Sequence, residues 1–524
     1  MKRPIPADSP LTSRRLFVSR VLQTGALALG GRALFTEASA AAVLQSERPR
    51  ITHGIASGDV TPHEAVIWAR ADRTSRMYVE WSTVESMKDA RRVVGPLALS
   101  YTDYTAKTIL TGLPAGQRIF YRVTFATPEG VMSEPARGHF ITAPLDRRSV
   151  RLAWSGDTCG QGYGIDESRG GFLSYRTMLN LQPDVFIHSG DWIYADNPLE
   201  PVRKLPTGGI WRNVVAEGKE KVAETLDEFR GNYRYNFLDR HYRTFHAAVA
   251  TLGQWDDHEV RNNWYPGQII EDKRYTEKNV DRLFRRAQRA FWDYVPLRPD
   301  AQMRIYRHIP RGPLCDVFLL DCRTYRGPNG PNRQTTRSAE SAFLGETQLE
   351  WLKESLRASR ATWKIIANDM PIGMLIPDTR GTYENCSNGN GPALGRELEF
   401  AELFRFLKEN RIRNVIWLTA DVHHAITHHY HPDRAVFKDF DPFWEFVSGP
   451  LHAGTYGPGQ LDNTFGPKVE WNSRAPGAPE AGPFNDQQFI GVVDIEGPSG
   501  RLTVTHYNRD GQALAKTSLE PESV

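Results

Sequence analysis

Val185-Phe-Ile-His188 runs directly into Ser189-Gly190-Asp191-Trp192-Ile193-Tyr194. A short apolar run broken by Gly190 predicts a buried strand that stops just before Asp191. The same pattern recurs along the chain. Val150-Arg-Leu-Ala-Trp154 runs into Ser155-Gly156-Asp157, and Val249-Ala-Thr-Leu252 into Gln254-Trp255-Asp256-Asp257-His258-Glu259. Lys364-Ile-Ile-Ala367 runs into Asn368-Asp369, and Val415-Ile-Trp-Leu418 into Thr419-Ala420-Asp421-Val422-His423-His424. A sixth run, Val317-Phe-Leu-Leu320, leads to Asp321 and Arg323. Helical patterns at 171–181, 219–230, 274–293, 346–358 and 396–410 separate the runs. Strands alternating with helices predict a layered α/β core over residues 146–524. The crevice of such a sheet lies beyond the carboxyl ends of its strands. Five strand ends carrying Asp, Asn or His are therefore expected to meet in one place.

Each motif alone has an ordinary reading, since an Asp after a strand is usually a turn or a helix cap. Together they are costly, because several carboxylates buried side by side need cations to neutralise them. Asp and Asn oxygens with imidazole and phenolate suit Fe, Zn, Mn or Ca better than copper. No Gly-x-Ser-x-Gly elbow, Walker loop or His-Glu-x-x-His stands in the sequence, which argues against a serine hydrolase, a P-loop enzyme and a zinc peptidase.

The flanking regions differ in texture. Within the first 45 residues, Lys2, Arg3, Arg14 and Arg15 precede the apolar run from Thr24 to Gly30 and the small residues Ala38-Ser39-Ala40-Ala41. With Leu16-Phe17-Val18 behind the paired arginines, this is the layout of a twin-arginine export signal. The apolar run is too short to span a membrane. A periplasmic or secreted protein that meets the twin-arginine translocase is expected. Residues 46–145 carry short strand patterns such as Ala65-Val-Ile-Trp68 and Ile119-Phe-Tyr-Arg-Val-Thr124, spaced as in a small β-sandwich of fibronectin type III or immunoglobulin character. Residues 196–235 read as an insertion, 376–395 and 450–487 as long loops, and Gln488–Val493 with Leu502–Thr505 as a closing hairpin. A net charge of +3 over 524 residues points to no nucleic-acid surface, and a monomer is expected. Cys159, Cys315, Cys322 and Cys386 form no Cys-x-x-Cys pair, so no zinc ribbon is present. A bridge between Cys315 and Cys322 is disfavoured, because one continuous strand would hold them too far apart.

The order Asp157, then Gly190-Asp191-x-x-Tyr194, then Asp256-Asp257-His258-Glu259, then Asp421-x-His423 resembles the calcineurin-like metallophosphoesterases. Gly54-Ile-Ala-Ser-Gly-Asp-Val-Thr-Pro62 with Ala65-Val-Ile-Trp-Ala-Arg70, and Trp255-Asp-Asp-His-Glu-Val-Arg-Asn-Asn263, are similar to the N-terminal and central signatures of the PhoD-type alkaline phosphatases. The likeness runs from the export signal to the final hairpin. It implies a two-sheet α/β core flanked by helices, akin to the purple acid phosphatases. It also implies hydrolysis of small phosphate esters at a multinuclear site holding two or more ions, Fe and Ca above all, with Zn or Mn as alternatives. Asp191 would bridge two metals. Asp157 and His423 would hold the first, with Tyr194 as a phenolate ligand. Asp257, Asn368 and Asp421 would hold the second, and His258 would face the scissile bond. Two ions about 3.5–4 Å apart would clamp the phosphate and lower the pKa of a bound water. Members often have a cysteine at the first ligand position; here Asp157 and Cys159 both stand near it, and register with the strand favours Asp157. Asn368 and Asp369 remain alternatives, since a one-residue slip turns a side chain to the other face. Arg323 has two readings, a phosphate ligand or an ion pair with a neighbouring acid. Phosphodiesterase or phospholipase activity at the same metals is the alternative reading. A non-catalytic binding protein on a degenerate scaffold is the reading from another class, and it would show lost ligands.

Overall fold

The computed structural model describes residues 47–522; the export signal expected at 1–45 lies outside the described residues. Two large sheets carry the apolar runs. The first has nine strands in the order Ala513–Leu519, Leu502–Asn508, Phe489–Ile495, Val150–Ser155, Val185–Ser189, Ala250–Gln254, Ile51–Gly58, Ala65–Ala71 and Thr105–Leu110. The second has seven, in the order Arg307–Pro310, Cys315–Leu319, Trp363–Ala367, Val415–Thr419, Phe443–Val447, Ile426–Tyr430 and Pro467–Asn472.

The central strands are parallel, with Leu152 opposite Val185, Val185 opposite Ala250, Cys315 opposite Trp363 and Lys364 opposite Val415. Because side chains alternate along a strand, each run divides its residues between two faces. Leu152, Trp154, Val185, Ile187, Val317, Leu319, Ile365, Ile416 and Leu418 share one core between the sheets. Ala153 and Phe186 point outward under the helices Leu173–Asn180, Leu226–Asn236, Arg240–Ala248 and Val280–Tyr294. Phe318, Ile366 and Trp417 point outward under Glu346–Ala358 and Glu397–Glu409. The result is four layers, helix–sheet–sheet–helix, with both strand faces apolar as buried parallel sheets require.

The N-terminal all-β region does not stand apart from this core. Four of its strands, Ser75–Ser82, Arg91–Ala98, Arg118–Ala126 and Ala136–Ile141, form a separate sheet. The other three complete one edge of the nine-stranded sheet, where Gly58 pairs in parallel with Thr251. That pairing satisfies an edge that would otherwise be open, and from Pro49 onward the chain is one compact unit.

The helix expected at 219–230 starts later, at Leu226, because Thr225 and Glu228 close a capping box there. Arg240–Ala248, capped by Asp239, was hidden by the apolar run that follows it. The expected loop at 450–487 contributes the edge strand Pro467–Asn472. All four cysteines are buried and free.

Candidate metal centre

Both sheets present the carboxyl ends of their parallel strands to one cleft of about 400 Å³. Three groups of side chains there bring their ligand atoms within 4.8 Å of one another: Asp157, Asp191 and His423; Asp191, Asp257 and His258; and Asp256, Asp257 and Asp421. Asp191 belongs to the first two groups and Asp257 to the last two, so the three form a chain and not three separate patches. Tyr194 joins the first group, its hydroxyl 2.8 Å from His423 Nε2.

The backbone at these strand ends is unusual. Asp157, Asp191, Asp421 and His423 have φ of 65°, 54°, 67° and 56°. Left-handed backbone is uncommon outside glycine and gathers at functional sites. Here it turns each side chain off its strand and toward the neighbouring donors. Gly190 lets two strand ends approach, since a Cβ on it would lie 2.4 Å from Asp256 Cβ. Glu259 then ties them together, accepting from the amides of Trp192 at 2.6 Å, Asp256 at 2.8 Å and Asp191 at 3.2 Å.

The electrostatics are those of crowded buried acids. Burial, with the charges of Asp257 and Glu259, pushes Asp157 and Asp191 well above the usual carboxylate range. Burial, with Glu384 and Asp257, does the same to Asp421. Burial and Asp257 move Glu259 up to about 7. Tyr194 is raised by burial and by Asp191 and Asp157, and burial lowers His423 to about 4. His258 moves the other way. Burial would lower it, but Asp196, Asp257 and Asp191 outweigh burial and hold it well above its ordinary value. Its Nδ1 lies 2.5 Å from Asp196 Oδ1. Acids packed like this stay neutral unless positive charge is supplied.

The donors fit a metal. Asp157 Oδ2 and Asp257 Oδ1 are buried with no hydrogen-bond partner among the described residues. Buried carboxylate oxygens left unpaired are costly, and a cation is the partner that removes the cost for both.

Cys159, Asn368 and Arg323 each have other partners in this structure. Cys159 is packed in the apolar layer under the helices, where burial raises its thiol to about 11; Asp157 takes the position beside Asp191 and His423. Both ends of the Asn368 amide are occupied, by Cys322 Sγ and the Met370 carbonyl. Asp369 carries the unpartnered oxygen, 3.5 Å from Arg323 Nε. Arg323 does not line the cleft. Its side chain is 0% exposed and is held by Asp256 at 2.5 Å and Glu384 at 2.8 Å. An arginine wrapped by buried acids balances their charge and has no open face for a phosphate.

The comparisons with known proteins agree with this geometry. The family description "PhoD-like phosphatase" matches residues 152–506, and "PhoD-like phosphatase, N-terminal domain" matches 37–144. The chain belongs to the PhoD-like phosphatase family. Alkaline phosphatase D of Bacillus subtilis (strain 168) is 27% identical over 434 residues, spanning 78% of this chain and 70% of its own. A solved structure of PhoD superposes with a TM-score of 0.67 at 20% identity, covering 90% of this chain and 93% of its own. The purple acid phosphatase PPD1 from yellow lupin (Lupinus luteus) seeds does so with a TM-score of 0.54 at 12% identity, covering 90% and 74%. These likenesses show the two-sheet fold, and family membership makes the chain a phosphoric ester hydrolase.

Within this PhoD-like phosphatase, sequence reasoning missed Asp196, Glu259 and Glu384 as parts of the site. Glu259 was in view, inside a quoted motif; Asp196 lies two residues past Tyr194, and spacing alone does not reveal that it turns back onto His258. Glu384 lies in a loop more than 120 residues from His258, and no periodicity marks it. Among the described residues, no helix is long and apolar enough to cross a membrane.

Proposed function

We propose that this chain is an exported, metal-dependent alkaline phosphatase that hydrolyses small phosphate esters, acting as a monomer in the periplasm or outside the cell. The chain of three ligand groups linked through Asp191 and Asp257 carries the reading. Asp157, Asp191, Tyr194 and His423 would hold one ion, and Asp191, Asp257 and Asp421 a second. Iron and calcium suit these oxygen, imidazole and phenolate donors, with zinc or manganese as alternatives. When bound, such ions supply Lewis acidity toward the phosphoryl oxygens and lower the pKa of water. His258, held by Asp196 through Nδ1, presents its other nitrogen to the cleft and donates a proton to the leaving oxygen as the P–O bond breaks. Glu259 keeps the amides at Asp191 and Asp256 in place while charge moves. The residues 14–41 support export, through the twin-arginine translocase.

A diester is the second reading. Among the described residues lining the cleft there is no lysine or arginine, an arrangement better suited to a singly charged phosphate. The test is purified protein assayed on p-nitrophenyl phosphate and its bis ester, with metal measured by mass spectrometry. Asp191→Ala is expected to lose both metal and turnover. Full turnover in that variant, or turnover by metal-stripped protein, would sink the mechanism; the ratio of monoester to diester rates separates the two substrates.

A further inference from the structure

Tyr456 is 47% exposed although it lines the reaction cleft. Its ring stacks on the His423 imidazole, with centroids 5.2 Å apart and planes 26° apart. One face is covered by a residue of the metal centre, and the remainder opens to the cleft. Gly457 and Gly459, which line the same cavity, bring no side chain to compete for that face. Ile376, Pro377 and Val422 add apolar surface to the wall.

Orienting His423 does not account for this ring. His423 is already fixed at both nitrogens, by the Gly454 carbonyl 2.5 Å from Nδ1 and by the Tyr194 hydroxyl 2.8 Å from Nε2. An exposed aromatic face beside a reacting centre is a binding surface in search of a flat apolar partner. The charge of the cleft narrows that partner further. Asp378 lines it in addition to the proposed metal ligands, while Glu384 is balanced by Arg323 behind it, and no described lysine or arginine lines the cleft itself. An ester whose organic part carries more negative charge is repelled there.

Building on the phosphatase reading, we propose that Tyr456 is a specificity-determining residue: it stacks against the organic group of the substrate and selects phosphate esters of neutral, aromatic alcohols. Sugar phosphates and polyphosphates are disfavoured by the same surface.

Benzyl phosphate and n-propyl phosphate test this, because their leaving alcohols are similar in basicity and differ mainly in the ring. Stacking of this kind predicts that wild-type kcat/KM favours the benzyl ester by about two- to tenfold. Tyr456→Ala is expected to bring that ratio close to one, and Tyr456→Phe to keep it, with the metal content of both variants as in the wild type. Arg360→Ala, a substitution at an exposed site, should leave the ratio as it is. An equal benzyl-to-propyl ratio in wild type and Tyr456→Ala overturns the proposal. So does an equal loss on both esters with loss of metal, which would make Tyr456 a support for His423. So does a Tyr456→Ala defect confined to phosphocholine, which would make the ring a cation site. Failure of the metal-loaded wild type on every phosphate ester would instead refute the phosphatase reading itself.

Discussion

Gly449→Ala adds one methyl group next to Asp157, a proposed ligand, without substituting any of the proposed ligands. A Cβ built on Gly449 lies 2.2 Å from Asp157 Oδ2 and 3.4 Å from its Cγ. Gly449 does not have the left-handed φ that would make alanine strained there. The backbone on either side is clasped, with Ser448 N donating to Thr419 O at 2.9 Å before it, and Leu451 N to Gly156 O at 2.8 Å and His452 N to Asp157 O at 2.9 Å after it. The methyl is therefore held where it is, and the carboxylate must move. Oδ2 has no hydrogen-bond partner to resist. It has to retreat by about 0.8 Å to reach the 3.0 Å below which real Cβ contacts essentially do not occur. Ligand bonds tolerate displacements of only about 0.2 Å, so the first metal site should bind its ion far more weakly. A misplacement near 1 Å costs about a hundredfold in rate. The assay is metal stoichiometry by mass spectrometry together with kcat/KM on p-nitrophenyl phosphate. The thermal transition in chelator should match that of chelated wild type, which separates a ligand effect from a folding defect. A Gly449→Ala protein with full metal content and full turnover would refute the placement of Asp157 as a ligand.

Two further predictions concern buried acids. Asp196→Asn replaces the carboxylate that holds His258. Hydrogen bonds to charged groups are worth about 1.5–3 kcal/mol, so kcat should fall roughly 10- to 100-fold with metal content retained, and the basic limb of the pH–rate profile should move to lower pH. Equal loss of metal would show that Asp196 shapes the metal centre instead. Glu397→Gln tests a carboxyl that burial and Asp462 push up to about 9 and that accepts from Asn388 Nδ2. The folded state then keeps a proton that the unfolded chain releases near 4.5, so this group's contribution is whole below pH 4.5 and is lost as pH rises towards 9. The slope is at most about 1.4 kcal/mol per pH unit. Urea unfolding at pH 5 and pH 8.5 should show a smaller drop in Glu397→Gln than in wild type, and an unchanged drop would contradict the assignment.

Much of the core was legible because its runs obey a period-two code with both faces apolar. In Val185–Ser189, Phe186 faces the helices while Val185 and Ile187 face the second sheet, and the run simply reads as apolar. The edges were harder. Val202–Lys204 and Pro467–Asn472 are largely exposed and Ile210–Arg212 buries only Trp211, so no apolar run distinguishes them from loop. The strands from Ile51 to Ala71 looked like part of an independent sandwich, because nothing local records that Gly58 pairs with Thr251 nearly two hundred residues away.

The donors themselves were determined by the sequence. Parallel strands place their carboxyl ends on one edge, so Asp157, Asp191 and Asp257 meet where their strands pair, while Asp421 and His423 end a strand of the other sheet and reach them through the packing of sheet on sheet. Which atom of each strand end faces the cleft was decided by the tertiary structure. A one-residue difference in backbone turn sends Asn368 to Cys322 and leaves Asp369 with an unpaired oxygen. It packs Cys159 under the helices while a φ of 65° swings Asp157 inward. It encloses Arg323 among acids contributed by segments more than 60 residues apart. Local sequence sets what a strand end can donate, but aim is set by contacts between distant strand ends, and only packing brings those together.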